Sequence, residues 1–102
     1  MDFDKVLEAP TPVVVDFKAE WCLPCKMCSP IIDALGVMYK DKIRVLKVDV
    51  DEEPAIAARY DIMSIPTVMF FKDGKVVDTL VGVMPQSLYQ QRIDKMLEST
   101  SH

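Results

Sequence analysis

Apolar residues follow two different periods along this chain, and the alternation between them predicts its elements. Residues 12–17 read Pro-Val-Val-Val-Asp-Phe, β-branched and nearly continuous in apolarity, as expected of a strand covered on both faces. Residues 43–50 read as a second buried strand. Between them, Cys28, Ile31, Ile32, Leu35, Met38 and Tyr39 fall at helical spacing over 25–39, with Pro30 inside the pattern, where a kink is expected. Residues 2–9 fit a short helix ended by Pro10 and Pro12. Asp51-Glu52-Glu53-Pro54 reads as a helix start with a capping Asp and acids near the positive end of the dipole, running to Tyr60. Residues 67–72 and 75–80 are two strands joined by Asp73-Gly74, a strong hairpin signal. Pro85 opens a closing helix whose apolar face is Leu88, Tyr89, Ile93, Met96 and Leu97. A right-handed βαβ unit followed by a hairpin predicts an α/β fold, a mixed sheet with helices on both faces.

The 102 residues are enough for one compact domain, 1–102, without repeats or linkers. A net charge of −4 argues against nucleic-acid and anionic-membrane partners. Three glycines, Gly36, Gly74 and Gly82, are too few and too scattered for a phosphate-cradling loop. The acidic start lacks the features of a signal peptide, and no apolar run approaches the roughly 18 residues that span a bilayer. A cytoplasmic protein is therefore expected, where thiols stay reduced.

The three cysteines, Cys22, Cys25 and Cys28, are too clustered for a secreted disulfide framework. Trp21-Cys22-Leu23-Pro24-Cys25 sits where the first strand hands over to the long helix. Residues three apart on a helix bring their β-carbons to about 5–6 Å, so modest adjustment permits a Cys22–Cys25 disulfide. Free amides and the dipole at the helix N-terminus favour a thiolate on Cys22, the more N-terminal and more exposed sulfur. A second thiol one turn away can resolve the mixed disulfide that this thiolate forms. Pro24 lacks an amide hydrogen and suits a first helical turn, where it restrains the loop and so tunes the pair. The contrary reading, two inert buried cysteines, fits this placement poorly.

Several separated segments together resemble the thioredoxin family from about Pro12 to Leu97. They are Val15-Asp16-Phe17, Ala19-Glu20-Trp21-Cys22 through Pro24-Cys25-Lys26-Met27, Pro30, Lys47-Val48-Asp49-Val50-Asp51, Tyr60-Asp61-Ile62, Ile65-Pro66-Thr67, Phe71-Lys72-Asp73-Gly74 and Val81-Gly82. The resemblance implies a thioredoxin-like three-layer fold and a thiol–disulfide oxidoreductase that reduces protein disulfides through Cys22 and Cys25. It further implies no bound cofactor, a separate thioredoxin-type reductase as partner, and a monomer. Four features depart from the pattern. Leu23 replaces a glycine, Cys28 is an additional thiol, and Met63-Ser64 replaces the commoner basic or small pair. The family's first strand has no counterpart, so a four-stranded sheet with a partly uncovered edge is expected.

Two charges interrupt apolar strands. On its own pattern Asp16 fits equally the wet face of an edge strand or a buried site where desolvation would raise its pKa. The resemblance implies the second, with Asp16 relaying a proton to or from Cys25. Lys47 is either solvent-exposed or the partner of Asp16, since a buried unpaired charge costs several kcal/mol. Pro66 reads alone as a strand-start proline. The resemblance implies instead a cis Ile65–Pro66 bond that turns the Ile65 backbone toward an extended substrate. Trp21, Pro66 and the loop Val81-Gly82-Val83 would complete a shallow apolar surface around Cys22, Gly82 permitting close backbone approach. Met63 and Met84 fall beside these loops, as core filler or as a flexible rim.

Three other readings compete. Cys22, Cys25 and Cys28 overlap the start of a ferredoxin ligand run, but a fourth ligand is missing, and His102 on the tail is a poor substitute. A disulfide isomerase or oxidase would use the same pair. A redox-silent adaptor would leave the intact Trp21–Cys25 motif without a purpose. Cys28 itself reads as a small hydrophobe on the inner face of the helix.

Overall fold

The computed structural model describes residues 1–98, so His102 lies outside the described residues. Eight elements follow in order: α1 (Phe3–Glu8), β1 (Val13–Lys18), α2 (Leu23–Met38), β2 (Arg44–Asp49), α3 (Pro54–Arg59), β3 (Thr67–Lys72), β4 (Lys75–Val81) and α4 (Gln86–Glu98). One four-stranded sheet has the order β2-β1-β3-β4. β1 runs parallel to β2 and antiparallel to β3, which pairs antiparallel with β4. The mixed sheet and every predicted element are present, and β2 forms one outer edge of the four-stranded sheet.

Alternation within the central strands builds two cores. Val14, Val68, Phe70 and Leu80 point to the layer holding Cys28, Ile32 and Leu35 of α2 and Tyr89, Ile93 and Met96 of α4. Val13, Val15, Phe17, Val48, Met69 and Phe71 point the other way, against Phe3 and Leu7 of α1. Tyr60 closes this second core through edge-on contacts, 5.6 Å from Phe3 and 5.3 Å from Phe71 between ring centroids. Burial on both faces explains the unbroken apolarity of β1.

Local signals account for the boundaries, with one correction. Asp2 caps α1, its carboxylate accepting from the Lys5 N–H at 3.3 Å. Asp73 and Gly74 both take positive φ, 54° and 79°, as a type I′ hairpin turn demands. α2 continues through Pro30 without interruption. The start of α3 differs from expectation: Glu53 occupies the cap position without a side-chain bond. The turn is instead held by Asp49, which accepts from the N–H groups of Asp51 and Glu52 at 2.9 and 3.2 Å. Asp51 is thereby free to reach elsewhere.

Candidate active site

β1 ends at Lys18 and α2 begins at Leu23, so the intervening turn carries Trp21 and Cys22 to the C-terminal edge of the sheet. Cys22 is the cap residue of α2, and the Cys25 N–H donates to its Sγ at 3.2 Å. Pro24 lies in the first turn, where no amide hydrogen is needed. Cys22 and Cys25 are joined as a disulfide with Cα atoms 5.2 Å apart, inside the usual range. Both cysteines are nearly buried, 4% and 2% exposed, so the expected difference in accessibility is small. What distinguishes Cys22 is the amide aimed at its sulfur. The same amide that faces it in the disulfide would face a thiolate after reduction and donate a hydrogen bond to that charge.

Ile65 packs on the Ala19, Cys22 and Cys25 group, and its carbonyl oxygen lies 4.0 Å from Cys22 Sγ. The Ile65–Pro66 bond is cis, and the turn before it is closed by Thr67 Oγ1, which donates to the Ser64 carbonyl at 2.6 Å. Gly82 has φ +88°, and a Cβ there would meet nothing within 4 Å. Its N–H donates to the Pro66 carbonyl at 2.8 Å, tying the loop after β4 to the cis-proline turn. The disulfide, Ile65, Pro66 and Gly82 are thus one connected cluster. Trp21, Leu23 and Met63 stand out from its flanks, 69%, 72% and 86% exposed. Val83 and Met84 behave differently, packing partly against the core, so of the two methionines only Met63 is positioned as a rim.

Trp21 Nε1 donates to Asp51 Oδ2 at 2.7 Å. This contact joins residues 30 apart in sequence, and a helix-cap role for Asp51 does not anticipate it. Because Trp21 is the only tryptophan, its fluorescence reports the contact. Asp51→Ala is expected to free the indole, raising its collisional quenching about twofold, as loss of one charge-assisted bond permits. An unchanged quenching constant would mean that Asp51 does not hold the ring.

Asp16 is fully buried (0% exposed), and neither of its carboxylate oxygens has a hydrogen-bond partner among the described residues. Desolvation lifts its pKa to about 6, against which the positive charges of Lys47 and then Lys18 act, with Asp33 pushing in the same direction as burial. Lys47 pairs in register with Asp16 across β1 and β2, but the expected ion pair does not form. Its ammonium lies 2.7 Å from Asp33 Oδ1 and donates to Ser29 Oγ, both on α2. The physical reason is solvation. Lys47 is 28% exposed at the sheet edge, where two α2 side chains meet it near water, whereas reaching Asp16 would require burying the cation. Lys47 acts on Asp16 through space only.

Burial also pushes the Cys28 thiol up, and it is fully buried against Tyr89, as packing predicts. Among the described residues no group of three or more His, Cys, Asp or Glu side chains is arranged to hold a metal ion. Nor is any helix among them long and apolar enough to cross a membrane.

Comparison with known proteins agrees with this geometry. The thioredoxin family model matches residues 1–95. Thioredoxin 1 of Synechococcus elongatus is 48% identical over 93 residues, covering 91% of this chain and 87% of that protein. Thioredoxin of Staphylococcus aureus is 47% identical over 96 residues, covering 94% and 91%. The oxidised form of mitochondrial thioredoxin 3 from Saccharomyces cerevisiae superposes with a TM-score of 0.84 at 32% identity, over 92% of this chain and 87% of that one.

Proposed function

The chain belongs to the thioredoxin family, and within that family's protein-disulfide reductase chemistry we propose that Cys22 is the attacking sulfur and Cys25 the resolving one. The protein is a thiol–disulfide oxidoreductase working through a Cys22/Cys25 dithiol–disulfide cycle. Its two electrons reside in the cysteine pair, so the cycle runs without a bound cofactor.

The observation that carries the assignment of roles is the Cys25 N–H directed at Cys22 Sγ at the helix start. The Cys22 thiolate attacks one sulfur of the substrate disulfide, and the other sulfur leaves as a thiolate. Cys25, once deprotonated, attacks Cys22 Sγ. The enzyme disulfide forms, the substrate's second thiolate departs, and two electrons have passed to the substrate. Asp16, fully buried and poised near pH 6, accepts the Cys25 proton, directly or through a water. Lys47 keeps that pKa from rising further, and Pro24 holds the first turn of α2. Trp21, Ile65, Pro66, Gly82 and Val83 receive the substrate segment around Cys22, the Ile65 backbone pairing with it as an added strand.

In this reading residues 1–102 act as one thioredoxin-like domain, monomeric and cytoplasmic, with protein disulfides as substrates and a separate thioredoxin-type reductase as electron source. Neither a nucleic acid nor a membrane is a partner. The reductase direction requires a Cys22–Cys25 potential below the cytosolic glutathione poise, about −220 to −260 mV by extraction. Equilibration against glutathione, read by thiol alkylation, measures it. A potential well above that poise would mean an oxidase or isomerase despite the shared fold, and Leu23, exposed between the cysteines, would be the first residue to revert to glycine.

A further inference from the structure

The phenolic oxygen of Tyr89 takes no part in the cysteine chemistry, yet three groups converge on it. The residue is fully buried in the core that faces α2. The Met84 N–H donates to the oxygen at 3.2 Å, the hydroxyl donates to the Gly82 carbonyl at 3.4 Å, and Cys28 Sγ lies 3.5 Å away. A phenol has one proton to give. Once it is given to Gly82, the lone pairs face the Met84 N–H and the Cys28 S–H, and every polar group in the cluster is matched. A phenylalanine would fill nearly the same volume, so the oxygen, not the ring, needs a purpose.

Its partners indicate one. Gly82 is held by its N–H to the Pro66 carbonyl at 2.8 Å and by its carbonyl to Tyr89. The backbone from Gly82 to Met84 is therefore fastened at three points, two of them on a single hydroxyl. A glycine at φ +88° with open space around it would otherwise leave this loop with many conformations. Cys28, one turn beyond Cys25 on α2, supplies the third contact and fixes the hydroxyl from the helix side.

We propose that Tyr89 is a positioning residue for protein substrates: its hydroxyl, seated against Cys28, fixes the Gly82–Met84 backbone in the form that receives an extended substrate segment. The proposal rests on the reading of the Val81-Gly82-Val83 loop as substrate-facing. A small disulfide that reaches Cys22 without touching the loop is indifferent to the latch.

Tyr89→Phe removes the oxygen and keeps the ring. With the reduced protein, the second-order rate of insulin reduction is expected to fall about fivefold, the scale of one positioning hydrogen bond. The rate with 2-hydroxyethyl disulfide stays within a factor of two, and the Met84 amide exchanges faster with solvent. A parallel Val81→Glu variant, altering a residue 53% exposed beside Gly82, tests the loop itself and is expected to slow insulin reduction. If Val81→Glu slows insulin and Tyr89→Phe slows neither substrate, or both alike, the latch is wrong and the loop reading stands. If Val81→Glu leaves insulin reduction unchanged, the loop reading fails and the latch falls with it.

Discussion

Replacing Cys22 by serine is expected to lower protein-disulfide reduction at least about a thousandfold, to the rate of the free reductant alone. A serine hydroxyl has no anionic form near neutral pH that could attack sulfur, and the Cys25 N–H at the helix start would face an uncharged oxygen instead of a thiolate. Cys25→Ser should lose turnover to a similar extent for a different reason. Its Cys22 thiolate still attacks, but the mixed disulfide has no internal thiol to release it. The two variants therefore separate in a single-turnover experiment: Cys25→Ser consumes one equivalent of substrate disulfide quickly and stops, whereas Cys22→Ser consumes none. A stoichiometric burst from Cys22→Ser and none from Cys25→Ser would reverse the assigned roles.

Asp16→Asn is expected to stabilise the fold while slowing its chemistry. The carboxyl ionises near 3.8 in the unfolded chain and near 6 in the folded one, so the folded state binds the proton more tightly. Below pH 3.8 both states are protonated and the burial carries no charge penalty. As pH rises through the window from 3.8 to 6 the unfolded state gains by ionising first, and the folded state loses up to about 3 kcal/mol relative to it. Above pH 6 that loss is complete. Asparagine does not ionise, so denaturant midpoints of the two proteins should agree near pH 3 and diverge in favour of the variant toward pH 8. Resolution by Cys25 should fall in the same variant by roughly a hundredfold at pH 7, the low end of general-base catalysis. Equal stability at pH 8 would remove the desolvated carboxylate from the account. Equal resolution rates across neutral pH would remove Asp16 from the mechanism.

The elements were legible because their causes are local. Two-sided burial wrote β1 and β3 as apolar runs, helical spacing wrote α2 and α4, and Asp73-Gly74 wrote the hairpin turn. The cysteine pair was legible too, since a strand-to-helix junction and a three-residue spacing are both sequence properties. What the pattern misplaced was side-chain choice among several partners. Lys47 and Asp16 pair in register, and their opposite charges suggested an ion pair. The competing Ser29 and Asp33 lie on α2, and only the packing of helix on sheet brings them to the ammonium. Asp49 and Asp51 are both reasonable helix caps by composition. The turn decides between them by pointing Asp49 at the amides and sending Asp51 to Trp21. Tyr89 lay on the predicted apolar face and is buried there, but nothing in a helical period marks where its hydroxyl will land. The cis bond before Pro66 followed from the family resemblance alone, because a strand-start proline has the same local signature in either isomer.

The central claim is that the substrate is captured on Cys22 and released by Cys25. Its most direct test incubates reduced Cys25→Ser with a protein disulfide, blocks free thiols, and locates the trapped mixed disulfide by peptide mass spectrometry. The substrate sulfur is expected on Cys22, with Cys28 unmodified. Attachment at Cys28, or no trapped species at all, would contradict the account.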